Sequence, residues 1–136
     1  MNIWVNGCFD ILHIGHIKLL EYAKNFGDNL IVGIDSDRRV SELKGDDRPF
    51  NNETIRKEFL ESIKFVNKVV VFDNELELKN HLITNKINCI VIGDEYENKN
   101  IVGSDIVSNV YFFKKLPNLS TTNILKNGTK RKSNHF

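Results

Sequence analysis

Only two cysteines, Cys8 and Cys89, occur in 136 residues. No disulfide framework is available, and a reducing, cytoplasmic setting is the expectation. Charge of one sign is lacking too. Nineteen Lys and Arg stand against 18 Asp and Glu, a formal net charge of +1. No global field points to nucleic acid. No apolar run approaches the roughly 20 residues of a membrane-spanning helix. The N-terminus has no basic segment followed by an apolar core of signal-peptide type. Nucleic-acid and membrane partners are therefore not expected. There is no G-x-G-x-x-G after the first apolar run and no P-loop, so two common phosphate cradles are excluded. No repeat or linker divides the chain. A single domain over residues 1–127 is expected, with a frayed polar tail over 128–136 that carries Lys130, Arg131 and Lys132.

What the chain does have is alternation. Short β-branched runs fall at Ile3–Val5, Leu30–Ile34, Val69–Phe72, Cys89–Ile92 and Val110–Phe113. Between them lie stretches of helical spacing. The first runs from Ile14 to Phe26, with Gly27 as its stop. The next runs from Arg38 to Leu43, capped within Asp35-Ser36-Asp37. A third starts at Asn51 or Asn52 and reaches Ile63, with Ile55, Phe59, Leu60 and Ile63 as its apolar face. A fourth starts at Asp73 or Asn74 and reaches Thr84, and a closing helix runs from Ser120 to Lys126. Continuous apolar strands alternating with helices predict an α/β fold: one Rossmann-like open parallel sheet with helices on both faces. Ligands of such sheets bind beyond the carboxyl ends of the strands.

The polar residues gather there. Gly7-Cys8-Phe9-Asp10-Ile11-Leu12-His13-Ile14-Gly15-His16 links the first strand to the first helix. A helix start offers unpaired N–H groups and a positive dipole end, a setting for phosphate. Gly7 permits close backbone approach or a positive φ, and Gly15 leaves room over the first turn. His13 and His16, three apart, share a helix face. Each imidazole can donate to a phosphate oxygen and titrates at about 6.5 when unperturbed. Asp10 can accept from a nucleotide hydroxyl, orient a histidine or bind a metal. Zinc held by Cys8, His13 and His16 is disfavoured, because Cys8 falls across the loop and a fourth ligand is not evident.

This run resembles the G-x-F-D-x-x-H-x-G-H signature of the cytidylyltransferase-like nucleotidyltransferases. The family includes glycerol-3-phosphate cytidylyltransferase and the adenylyltransferase domain of ADP-heptose synthesis. The resemblance implies nucleotide binding by Gly7, Cys8, Phe9, Asp10 and Gly15, with His13 and His16 catalytic. It makes Lys44 a catalytic cation near the α-phosphate and puts Arg56 and Lys64 on the acceptor phosphate. Gly93 and Asp94 would lie beside the ribose or base. Ser120-Thr121-Thr122 resembles the family's second signature, with Lys115 about where some members carry an Arg. The residues also allow a plain N-cap at Ser120 and a strand-end turn at Gly93-Asp94.

The implied reaction joins a small phosphorylated acceptor to a nucleoside monophosphate. An acceptor phosphate oxygen attacks the α-phosphorus of a nucleoside triphosphate, and pyrophosphate leaves. That nucleophile is already ionised, so positioning and charge stabilisation suffice. Mg²⁺ is expected to arrive with the nucleotide, and a homodimer is an expectation from the family. Val5 to Asp10, Asp35-Ser36-Asp37, Leu43-Lys44-Gly45 with Arg48-Pro49, Ile101-Val102-Gly103-Ser104 and Ser120 to Ile124 look most like the heptose 1-phosphate branch, which uses ATP. Gly93 to Lys99 looks more like the CTP-dependent glycerol-3-phosphate branch. A catalytically silent nucleotide-binding module is the rival of another class. An aminoacyl-tRNA synthetase fragment is not expected: the only Met is Met1, so no Lys-Met-Ser-Lys-Ser-like loop is present, and the net charge is near neutral.

Overall fold

In a computed structural model, residues 1–114 are described. Lys115, Ser120, Thr121, Thr122, the expected closing helix and the tail lie outside the described residues. The elements are β1 (Asn2–Gly7), α1 (Ile14–Lys24), β2 (Asn29–Asp35), α2 (Asp37–Lys44), α3 (Glu53–Glu61), β3 (Lys68–Phe72), α4 (Glu75–Thr84), β4 (Cys89–Gly93) and β5 (Asn109–Phe113). A single 3-10 turn, Asp94–Tyr96, follows β4.

All described strands pair in parallel, in the order β3-β2-β1-β4-β5. Helices cover both faces, as the sequence predicts. On one, Leu20 and Ala23 of α1 and Leu60 of α3 pack against Ile3, Val5, Val32 and Val91. On the other, Leu78 and Leu82 of α4 pack against Trp4, Ile31, Phe72 and Ile90. Strand alternation assigns the faces: Ile3 and Val5 to the first, Trp4 to the second.

The register opens the site. β1 and β2 stay paired to Gly7↔Ile34. β1 and β4 pair only at Ile3↔Cys89 and Trp4↔Ile90. Beyond Trp4 these central strands part, and the chain order reverses between them. A crevice forms at this switch point, where α/β sheets hold ligands.

Two local expectations change, at the end of α1 and on the face of α3, and the expected cap of α2 is found at one residue. α1 ends at Lys24, two residues early, and its last turn tightens through Phe26 N–H to Ala23 O and Gly27 N–H to Lys24 O. Gly27 serves close packing instead: a Cβ there would lie 2.3 Å from the Met1 carbonyl oxygen. Within Asp35-Ser36-Asp37 the cap is Ser36, which accepts from Arg39 N–H. On α3, capped by Asn52, the buried face is Arg56 and Leu60, while Ile55 and Phe59 are 41% and 55% exposed.

Candidate active site

A cavity of about 540 Å³ fills the crevice above the carboxyl ends of β1, β2 and β4. Its floor is the loop from β1 to α1, and Gly7, Cys8, Phe9, Asp10, His13, Gly15 and His16 all line it. The loop turns sharply at Phe9, whose φ of 51° lies in the left-handed region that a bulky residue rarely adopts. The missing side chain at Gly7 leaves room for the Phe9 ring, since a Cβ there would come within 3.1 Å of it, and the ring packs 5.3 Å from the His16 ring, centroid to centroid.

The two histidines build their own helix start. His13 is the N-cap of α1, and its Nδ1 accepts from Gly15 N–H at 3.0 Å. His16, three residues on, accepts at Nδ1 from His13 N–H at 3.1 Å. This is a reciprocal capping box with imidazoles in place of the usual hydroxyl and carboxylate. An Nδ1 that accepts carries no proton, so each ring bears its hydrogen on Nε2. Two orphan backbone donors are thus satisfied, and two imidazole N–H donors are set 3.9 Å apart, ring to ring.

Asp10 lines the cavity and is also engaged by neighbouring residues. Its carboxylate is buried and accepts from Phe50 N–H at 2.8 Å, Asn51 N–H at 2.8 Å and Arg48 Nε at 3.1 Å. Asn51 Nδ2 returns a bond to the Asp10 carbonyl at 2.7 Å. Burial pushes the carboxyl up, but the two backbone N–H groups and the Arg48 guanidinium outweigh it and hold Asp10 below the usual carboxylate range. Asp10 therefore ties residues 48–51 to the loop carrying the histidines.

Arg56 is a correction. Its side chain is wholly buried, away from the cavity lining. Nε donates to Asn51 O at 2.9 Å, and Nη1 donates to Cys8 O at 2.9 Å and Asp35 O at 2.8 Å. Nη2 donates to Asp37 Oδ1 at 2.8 Å. It clamps three chain segments and is not set to meet an acceptor phosphate. Lys64 is the second correction. It is exposed in the turn leading into the amino end of β3, at the opposite edge of the sheet from the cavity.

Lys44 lines the cavity from the end of α2. Arg39 and Arg48, which the sequence reading gave no role in binding, line it as well. Arg39 is committed to Asp35 at 2.8 Å and lies over the Phe72 ring. Arg48 gives Nε to Asp10 and lies over the Phe50 ring at 4.9 Å. Gly93 lines the opposite wall with Glu95 and Tyr96, whereas Asp94 is half-buried and outside the lining. Burial pushes the Cys8 thiol up despite the nearby Lys44 and Arg56 charges, so it is not an activated nucleophile. Asn6, given no role of its own from the sequence, lines the floor beside the loop.

Over residues 4–127 the chain matches the family described as cytidylyltransferase-like. It is 46% identical over 123 residues to the bifunctional protein HldE of Campylobacter fetus subsp. fetus (strain 82-40), covering 90% of this chain and 27% of that protein. To the bifunctional protein HldE of Aliarcobacter butzleri (strain RM4018) it is 42% identical over 124 residues, covering 91% of this chain and 26% of that protein. The chain thus spans about a quarter of the length of the curated relatives it matches. The lipopolysaccharide core biosynthesis protein from Thermoplasma volcanium GSS1 shares the fold, with a TM-score of 0.67 at 23% identity, over 84% of this chain and 97% of that one. Fold and crevice are those of a Rossmann-like α/β domain with its ligand site at the switch point of a parallel sheet. The chain belongs to the cytidylyltransferase-like family.

Proposed function

We propose that this domain transfers the nucleoside monophosphate of ATP to a sugar 1-phosphate of heptose type, with release of pyrophosphate. The observation that carries the reading is the reciprocal cap of His13 and His16. It fixes two imidazoles at the positive end of α1, on the floor of a cavity whose volume is in the range of small-molecule sites. Similarity to the bifunctional HldE proteins supports ATP and a heptose 1-phosphate as the pair.

An oxygen of the sugar phosphate attacks the α-phosphorus, and the bond to the β-phosphate breaks. The histidine Nε2–H groups donate to phosphate oxygens as charge grows on them. Lys44 neutralises the triphosphate. Arg48, whose Nε is anchored by Asp10, offers its terminal nitrogens to the acceptor phosphate, the role the sequence had given Arg56 and Lys64. The described residues hold no group of three His, Cys, Asp or Glu able to cage a metal, and the Asp10 carboxylate is already engaged by three donors. The donor set suits Mg²⁺ carried on triphosphate oxygens and water, where it would neutralise phosphate charge.

The test is pyrophosphate release by purified protein with Mg²⁺ and ATP or CTP, against heptose 1-phosphate, glycerol 3-phosphate and choline phosphate. Release with ATP and heptose 1-phosphate is expected. Release only with CTP and glycerol 3-phosphate overturns the choice of branch. No release from folded protein that still binds nucleotide favours a silent binding module.

A further inference from the structure

We infer that Asn6 is a specificity-determining residue, which presents its carboxamide N–H groups to a hydroxyl of the acceptor sugar. The inference rests on the functional reading above and names a subsite within the same cavity.

Asn6 is set by a three-residue device. Trp4 and Asn6 alternate along β1 onto the same face, that of α4. The Trp4 indole is wholly buried, and its Nε1–H donates to Asn6 Oδ1 at 2.9 Å. Beside it on β2 stands Gly33, in register with Asn6. A Cβ on Gly33 would lie 2.3 Å from two carbons of the Trp4 ring. The missing side chain lets the indole lie across β2 with its N–H toward the carboxyl end of β1. Because Oδ1 is taken by a donor-only group, the carboxamide is locked one way round, with Nδ2 on its other side.

The surroundings say what the amide meets. Asn6 lies past the last β1–β4 pair, Trp4↔Ile90, where the sheet has opened. The cavity wall on its face of the sheet is apolar: Ile92, Ile101 and Val102 pack against the core of Trp4, Phe72 and Leu78. The Asp35–Arg39 pair closes the wall on the β2 side, with no net charge. An apolar, uncharged wall with one fixed amide disfavours phosphate. It suits the carbon face of a sugar with one hydroxyl accepting from the amide. A site built around such a bond rejects analogues that lack the hydroxyl, since the half-buried amide is then covered by ligand and left unpaired.

The experiment measures KM for heptose 1-phosphate and for ATP separately in wild type, Asn6→Ala, Asn6→Asp and Trp4→Phe. Sugar-phosphate binding is read by calorimetry beside turnover, and melting checks the fold. Asn6→Ala is expected to raise the sugar-phosphate KM about tenfold, the loss of one buried hydrogen bond, with the ATP KM within twofold. Asn6→Asp, which keeps the acceptor for Trp4 and loses the donors, does at least as much. Trp4→Phe keeps an aromatic ring but frees the amide, and raises the sugar-phosphate KM severalfold. An unchanged sugar-phosphate KM in folded Asn6→Ala, or a rise in the ATP KM instead, overturns the inference while the enzyme reading stands. Wild type that neither binds nor turns over heptose 1-phosphate overturns both.

Discussion

His13 and His16 each accept, at Nδ1, a backbone N–H from the turn they open, and their rings lie 3.9 Å apart. Capping and chemistry are thus carried by opposite edges of the same rings, and a substitution can separate them. Asn caps helices well. His13→Asn keeps an acceptor for Gly15 N–H and removes the imidazole donor. Its turnover is expected to fall by about 10²-fold or more, with the melting temperature within a few degrees of wild type. His13→Ala loses the cap as well, at about 1 kcal/mol. Equal losses of Tm in the two variants would mean that the ring, not the cap, stabilises this end of α1.

Asp10 links folding to pH. Its carboxyl is held below the usual range in the folded chain, so it favours folding above the unfolded pKa of about 3.9. That contribution fades as pH falls below the ordinary range and through the lowered folded value. Wild type should therefore lose stability more steeply below about pH 4 than Asp10→Asn does. At neutral pH Asp10→Asn should cost about 1–3 kcal/mol, since it weakens the hold on three donors. Denaturant midpoints across pH check both; parallel curves for the two proteins would refute the linkage.

Arg56 should matter to stability before it matters to binding. Replacing it by Met strips donors from three backbone carbonyls and leaves the Asp37 carboxylate without its ion pair. The expected cost is about 3–5 kcal/mol, or roughly 10–17 °C in Tm for a domain of this size. Lys64→Ala should change neither Tm nor KM. A rise in acceptor KM in Lys64→Ala, with intact Tm, would restore the role the sequence suggested.

Arg48 is expected to act on the acceptor. Arg48→Ala should raise the acceptor KM by about tenfold or more, as expected for a lost charged hydrogen bond, and leave the nucleotide KM near wild type. Steady-state kinetics with each substrate varied in turn decide it. A rise confined to the nucleotide would move Arg48 to the triphosphate.

Much of this was legible in the sequence, for physical reasons. Strands buried on both faces read as continuous β-branched runs, and the histidine pair stood at an unmistakable strand-to-helix junction. Arg56 was not legible. Periodicity counts apolar side chains, and by that count Ile55 and Phe59 belonged inside α3. What decided the face was a group of backbone carbonyls, from Cys8, Asp35 and Asn51, brought together by the fold and lacking donors. Such a convergence leaves no trace in composition. Asn6 left a weak one: two residues after a buried Trp on a strand, it had to share that residue's face. The limited β1–β4 pairing that exposes it depends on tertiary register, which no local pattern encodes.

The most direct test of the central claim is phosphorus NMR of the reaction with ATP, Mg²⁺ and heptose 1-phosphate, run on wild type and on His13→Asn at matched folded concentration. The account predicts pyrophosphate and a nucleoside diphosphate sugar with wild type, and loss of both signals by about 10²-fold with His13→Asn. Equal product from the two proteins would contradict it, because the imidazoles would then be a helix cap and nothing more.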